Sequence, residues 1–291
     1  MQTAPFDYYR PETLADAIDL LSTVEGARPL AGGHSLLPAM KLRVANPPAV
    51  VDLSRIEGLD GISRNGDSLS IGALTKHAAV AASELVQGDC SILADTAAHI
   101  GDPAVRNRGT IGGSIAHADP AADYPTVLTA LGATITVTGK SGDRSIPVDD
   151  YFVDMFTPAH ADGELVTSVD VPVIGREQGG DYKKHRHPAS SYAVVGVAAV
   201  VSAVDGTCTA ARIAIGGVTG TPVRAEAAEA ALVGQVVNGE AIAEASSKVA
   251  AVLGNPLGDV YASGEYRVHL AGVLTGRALA DAFTDAGVAG V

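Results

Sequence analysis

Two glycine-rich segments set the tightest limit on what this chain can fold into. The first runs Pro29-Leu30-Ala31-Gly32-Gly33-His34-Ser35. The second runs Arg108-Gly109-Thr110-Ile111-Gly112-Gly113-Ser114 and is followed by Asp119-Pro120-Ala121-Ala122-Asp123. Consecutive glycines let a backbone approach a ligand closely and aim several N–H groups at one anion. Such a nest needs no Lys, so it suits a pyrophosphate even in an acidic protein. A neighbouring Ser or Thr adds a hydroxyl donor, and a carboxylate a few residues on can accept from ribose or ribityl hydroxyls.

Other phosphate motifs do not fit. There is no GxxxxGK[ST], which rejects a P-loop. Neither segment reads GxGxxG after a strand with an acidic residue at the required distance, which disfavours a Rossmann dinucleotide fold. Either Gly-Gly taken alone is equally a tight turn. Two of them, each beside a hydroxyl residue, favour a ligand site.

Around these segments the pattern is mixed in the first half and ordered in the second. Residues 11–22 open with Pro11 and a Thr13/Asp16 capping pattern, and Leu14, Ala17, Ile18 and Leu21 recur at helical spacing, predicting a helix. Ala49-Val50-Val51-Asp52-Leu53 is a continuous apolar run and predicts a buried strand. Asn65-Gly66 predicts a hairpin turn. Helices are expected over 78–85 and 90–100, then a long irregular functional segment over 101–123. A helix from Asp123 to Leu131 and strands over 133–139 and 165–171 follow. Pro172 to Gly180 reads as a linker. Beyond it come strands over 194–204 and 209–215, turning at Asp205-Gly206, and helices over 223–232, 240–253 and 265–282. Strands followed by helices make the second half α+β. The expected boundary lies near residue 175, giving domains 1–175 and 176–291.

Composition narrows the function. A chain of 291 residues fits about two domains. With 47% hydrophobic and 18% charged residues it can fill a core. A formal net charge of −13 argues against nucleic acid or an anionic membrane as partner. No Trp, 8 Tyr and 4 Phe make a base-stacking platform improbable. Two cysteines cannot ligate an iron-sulfur cluster, which normally takes four. The N-terminus shows no basic start leading into an apolar run, and the longest apolar stretch, Tyr192 to Ala203, is short of a membrane span. A cytoplasmic location is expected.

Ala31-Gly-Gly-His-Ser-Leu-Leu-Pro-Ala-Met-Lys-Leu-Arg43, together with Thr110-Ile-Gly-Gly-Ser-Ile-Ala-His-Ala-Asp-Pro-Ala-Ala-Asp-Tyr-Pro125, resembles the FAD-binding medium subunits of molybdenum hydroxylases. These share the p-cresol methylhydroxylase type of FAD-binding fold. Residues 262–279 are similar to the closing helix of the carbon monoxide dehydrogenase flavoprotein type. The resemblance spans essentially the whole chain and is strongest at 31–43, 110–125, 182–197 and 262–279.

That resemblance implies an α+β protein: a two-subdomain FAD-binding domain, then a smaller C-terminal domain of antiparallel sheet plus helices. One FAD would be bound non-covalently between them. Residues Pro29, Leu30, Ala31, Gly32, Gly33, His34 and Ser35, and Thr110, Ile111, Gly112, Gly113 and Ser114, would hold its pyrophosphate from two sides. Asp123 would hold a hydroxyl of the adenosine or ribityl part, and it is equally an N-cap for the helix that follows. Tyr182 would cover a ring face, Lys183 would stabilise negative charge on the reduced flavin, and Leu165 would touch the ring. The molybdenum cofactor and two [2Fe-2S] clusters would lie in partner subunits, one large and one small, in a dimer of heterotrimers. Electrons would leave for a quinone, NAD or dioxygen. Carbon monoxide is the first substrate expectation for the assembled enzyme, with aldehydes, purines and other heterocycles as alternatives.

The remaining polar groups take plainer readings. His185 and His187 share a strand face but lack further ligands, so no metal site is expected. His77, His99 and His117 read as structural or FAD-lining, and Cys90 and Cys208 as packing residues. No residue reads as a catalytic acid, base or nucleophile. Two rival readings use the same glycines: a stand-alone FAD-dependent oxidase or reductase, and a non-redox nucleotide-binding regulatory protein.

Overall fold

Parallel strands open the fold. The computed structural model describes residues 2–291. Strand β1 (Asp7–Tyr9), helix α1 (Leu14–Thr23), β2 (Arg28–Leu30), α2 (Leu36–Lys41) and β3 (Ala49–Asp52) form a three-stranded parallel sheet in the order β1-β3-β2, with two helices. Thr13 caps α1 by accepting the Asp16 N–H at 3.1 Å, as the capping pattern predicts. β3 is the central strand and its Ala49, Val50 and Val51 are fully buried, which is why the run is continuous rather than alternating.

Strands β4 (Ile62–Asn65) and β5 (Ser68–Gly72) form the expected hairpin, with Asn65 paired to Ser68. Helices α3 (His77–Ala82), α4 (Glu84–Asp89) and α5 (Ser91–Ala98) follow. The single helix expected over 78–85 is divided at Ser83, whose extended backbone ends α3 and whose hydroxyl accepts the Val86 N–H to start α4. The segment 101–123 is not irregular. It contains α6 (Pro103–Arg106) and α7 (Ile111–His117), each with a side-chain N-cap, Asp102 and Thr110. Two glycines weaken a helix, but tertiary packing overrides propensity here.

After α8 (Asp123–Leu131) come β6 (Thr134–Gly139), β7 (Gly142–Pro147), α9 (Val148–Tyr151), a small hairpin of β8 (Phe152–Asp154) and β9 (Thr157–Pro158), and β10 (Leu165–Pro172). The second sheet is antiparallel, in the order β4-β5-β10-β6-β7. Its core joins Leu69, Ile71, Ile135 and Val169 of the sheet to Ile92, Leu93, Tyr124 and Leu128 of α5 and α8, all fully or almost fully buried.

The third sheet is an antiparallel meander, β11 (Gln178–Arg186), β12 (Ala193–Val204), β13 (Thr207–Gly216) and β14 (Val223–Arg224). Helices α10 (Glu226–Leu232), α11 (Gly239–Ser247) and α12 (Gly264–Asp285) cover it. The expected linker shrinks to the stretch between Pro172 and Gln178, because Gly179 and Gly180 belong to β11. A Cβ on Gly179 would lie 2.0 Å from the Ala282 carbonyl oxygen, so only glycine lets α12 rest on this strand. Val223 and Arg224 pair with β13 rather than opening a helix. Among the described residues, no helix is long and apolar enough to cross a membrane.

Candidate functional site

The end of β2 opens into a cleft of about 760 Å³, a size that suits a cofactor. Its walls come from the first glycine segment, the start of α7, the Asp119–Asp123 stretch, the start of β10 and the β11–β12 loop. Every site residue expected from the sequence lines it except Ile111, Tyr182 and Lys183.

The first glycine segment is built as a nest. Gly33 takes a left-handed φ of +74°, which turns the chain from β2 into α2. The backbone N–H groups of Gly32, Gly33, His34 and Ser35 find no acceptor among the described residues. A Cβ on Gly32 would lie 2.2 Å from the Arg108 carbonyl oxygen, so the two glycine segments touch backbone to backbone. Several adjacent unspent donors on residues that line one cleft suit an anionic pyrophosphate.

The second segment differs from the expected nest. Its Ile111 and Gly112 N–H groups donate to the Thr75 and Ala73 carbonyls at 3.0 and 2.9 Å. The Gly113 N–H donates to Thr110 Oγ1 at 3.1 Å, and the Ser114 N–H to the Thr110 carbonyl at 3.0 Å. These donors are spent within the fold. What the segment offers is a low surface, since Gly113 has no side chain and its Cβ position lies 3.6 Å from Ala31 Cβ. Ile111 faces the core and is fully buried.

Asp123 lines the cleft at 5% exposure. Its Oδ1 accepts from the Tyr182 hydroxyl at 2.6 Å and its Oδ2 from Lys184 Nζ at 2.7 Å. Burial pushes this carboxyl up, and the Lys184 charge beside it opposes the rise. Asp123 is the first residue of α8, and Ala122 occupies the N-cap position. Tyr182 does not line the cleft and reaches it only through its hydrogen bond to Asp123. Lys183 is turned away by strand alternation, pairing with Asp181 at 3.0 Å and with Asp281 of α12.

The structure brings in side chains the sequence reading did not assign. Tyr192, at the end of the β11–β12 loop, and Phe156, between β8 and β9, are the aromatic residues of the wall. Phe156 stands 5.1 Å from the His117 ring and has a left-handed φ of 55°, as does Ser191 next to Tyr192 at 62°. Bulky residues seldom adopt this conformation, and such strain concentrates at ligand sites. Both depend on loop conformation, which leaves no periodic trace in a sequence.

His77 and His117 line the cleft, whereas His99 does not; its Nδ1 meets the Asp95 carbonyl at 2.7 Å. His77 is 5% exposed, and burial, with His34 and Arg106 nearby, pushes it down to about 4. Its Nδ1 is buried without a partner among the described residues. His185 and His187 pack against Tyr261, and no cluster of potential metal ligands occurs among the described residues. Cys90 and Cys208 are free and buried.

Comparison with known proteins agrees with this architecture. Residues 4–174 match the family described as FAD binding domain in molybdopterin dehydrogenase, and residues 181–282 match the CO dehydrogenase flavoprotein C-terminal domain. The chain is 38% identical to the carbon monoxide dehydrogenase medium chain of Afipia carboxidovorans, covering 94% of this chain and 95% of that protein. It is also 38% identical to the glyceraldehyde dehydrogenase medium chain of Sulfolobus acidocaldarius, covering 96% and 98%. A solved carbon monoxide dehydrogenase from Hydrogenophaga pseudoflava superposes with a TM-score of 0.95 at 37% identity, covering 98% of this chain and 99% of that one.

Proposed function

The chain belongs to the FAD-binding medium subunits of the molybdenum hydroxylases, and from that premise we propose that it carries electrons from an iron-sulfur partner to an external acceptor through one FAD held non-covalently in the cleft. The observation that carries this reading is the row of unspent N–H groups from Gly32 to Ser35, on a segment that lines the same cleft as Gly113. The residues present fit the cofactor. The nest suits its pyrophosphate, Thr110 and Ser114 add hydroxyls, Asp123 can accept a sugar hydroxyl, and Leu165, Tyr192 and Phe156 supply flat or apolar contact. Bound FAD takes up two electrons, singly or together, which is what joins a one-electron donor to a two-electron acceptor. The chain itself binds and orients it and needs no acid or base toward substrate.

Cys90 and Cys208 cannot provide four thiolates, so this chain holds no [2Fe-2S] cluster by itself. On the similarity to medium chains of such enzymes we assign the clusters to a small partner subunit and the molybdenum cofactor to a large one, in a dimer of heterotrimers. Quinone, NAD and dioxygen are the acceptor classes. We place the boundary between the two domains at residue 175 and the assembly in the cytoplasm, where free thiols persist. For the substrate of the complete enzyme we put carbon monoxide first, on the similarity to the carbon monoxide dehydrogenase medium chain and the superposition. The equal identity to the glyceraldehyde dehydrogenase medium chain gives small aldehydes the same sequence support.

The test is direct. Adding FAD to the purified chain should give a bound flavin spectrum that survives gel filtration, and its absence would defeat the reading. Co-purified with its partner subunits, the complex should oxidise carbon monoxide with an artificial acceptor. Oxidation of glyceraldehyde but not carbon monoxide would reassign the substrate and leave the flavin role intact.

A further inference from the structure

Asp123 joins two parts of the chain through one buried charge. It stands at the start of α8, on the wall of the cleft, while both of its side-chain partners come from β11. Tyr182 and Lys184 are two apart on that strand and so share a face, which Lys183 between them does not. The Lys184 side chain is 7% exposed, does not line the cleft, and also donates to the His99 carbonyl at 3.3 Å.

A buried ion pair is a poor way to gain stability, since desolvation offsets most of the attraction. Its position at a cleft suggests another use. A carboxylate offers about four acceptor positions, and Tyr182 and Lys184 take one each, so acceptor capacity remains for a ligand. A protonated carboxyl in the same place would lose charge and much of that capacity.

We propose that Lys184 is a positioning residue for the cofactor: from β11 it keeps Asp123 ionised and aimed at the cleft, so that Asp123 accepts a hydroxyl of the bound FAD, with Tyr182 fixing the carboxylate's rotation. The proposal rests on FAD occupying this cleft. FAD affinity then depends on a residue that does not line the cleft. The groups that face Asp123 are Lys184 and Tyr182 from β11, His99 after α5, Tyr124 on its own helix and Tyr192 from the β11–β12 loop. Of these Lys184 acts most strongly, through a direct hydrogen bond to the carboxylate, with His99 a smaller favourable influence. Without it, burial governs the carboxyl and favours the neutral form.

The experiment measures FAD dissociation from the full-length chain by flavin fluorescence between about pH 6 and pH 9, where buried carboxyls titrate. The variants are Lys184→Met, Lys184→Arg, Asp123→Asn and the double Asp123→Asn/Lys184→Met. Circular dichroism and urea unfolding without FAD report the fold. Wild type should bind with little pH dependence. Lys184→Met should bind about ten- to a hundredfold more weakly at neutral pH, the scale of a charged hydrogen bond, and recover as pH rises and Asp123 ionises. Lys184→Arg should bind nearly as wild type. Asp123→Asn should be weak at every pH, and the double variant no weaker than it. Equal losses for Lys184→Met at every pH, additive losses in the double variant, or failure of Lys184→Arg to bind with its fold intact would each overturn the proposal. A wild-type chain that binds no FAD would instead remove the reading on which it rests.

Discussion

Gly32 meets Arg108 so closely that a Cβ on the glycine would lie 2.2 Å from the arginine carbonyl oxygen and 2.7 Å from Gly109 Cα. That contact holds the two glycine segments at the spacing of one cleft. Gly32→Ala should push them apart, lowering stability by about 1–3 kcal/mol, the range for forced overpacking, and abolishing FAD retention. Gly88→Ala is the control: it lies in α4 with nothing near its Cβ position and should be neutral or stabilising by up to about 1 kcal/mol. Urea unfolding and flavin fluorescence read both effects. Normal FAD retention in Gly32→Ala would refute the backbone contact as a determinant of the cleft.

His77 makes stability depend on pH. Its folded value is about 4, against an ordinary 6.5, because burial disfavours the imidazolium. The unfolded chain therefore binds the extra proton between those values, so His77 lowers stability as pH falls from about 6.5 towards 4, by up to about 3 kcal/mol. Above about 6.5 both states are neutral and the contribution vanishes. His77→Gln should flatten the wild-type slope within that window and leave the curves parallel above it. Urea midpoints taken across the window decide; identical slopes for the two proteins would show that His77 is not the titrating group.

Arg267 ties α12 to the third sheet. Its guanidinium donates to the Val194 and Gly217 carbonyls at 2.8 and 2.7 Å and to Asp259 at 2.7 Å, with the side chain almost wholly buried. Arg267→Met keeps the volume but strands two buried carbonyls, at about 1–3 kcal/mol each, so a loss of about 2–6 kcal/mol is expected. Hydrogen exchange should show the loss first in α12 and β12. A variant as stable as wild type would mean that water replaces the guanidinium.

Features decided by neighbouring residues were legible before the fold was seen. The Thr13 cap, the Asn65-Gly66 turn and the continuous burial of β3 all follow from local chemistry, and the first glycine segment forms the nest it suggests. Features decided by distant contacts were not. Gly112 and Gly113 read as loop because glycine is a weak helix former, yet Thr110 caps them into α7 against Ala73. Lys183 and Lys184 are adjacent, and only the folded β11, which turns Lys183 to Asp281 of α12 and Lys184 to the other face, shows which reaches Asp123. The resemblance pointed to Tyr182, while Tyr192 lines the cleft from a loop where Ser191 takes a left-handed φ, which no local pattern announces.

Gly112 and Gly113 separate fold from function within one dipeptide. A Cβ on Gly112 would lie 2.4 Å from Ala73 Cβ and 2.7 Å from its carbonyl oxygen, so Gly112→Leu has no room and should destabilise the chain, by about 1–3 kcal/mol or more. Gly113 faces the cleft, and its Cβ position meets only Thr110 Oγ1 at 2.8 Å and Ala31 Cβ at 3.6 Å. Gly113→Leu therefore displaces the Thr110 hydroxyl that caps α7, at a cost of about 0.5–2 kcal/mol, offset by the roughly 1 kcal/mol a helix gains on losing a glycine. The new side chain would project into the cleft beside Ala31 and fill the position proposed for the pyrophosphate. Gly113→Leu should unfold near the wild-type midpoint yet retain no FAD on gel filtration, whereas Gly112→Leu should lose stability. Full FAD retention by Gly113→Leu would mean that the pyrophosphate does not lie between the two glycine segments.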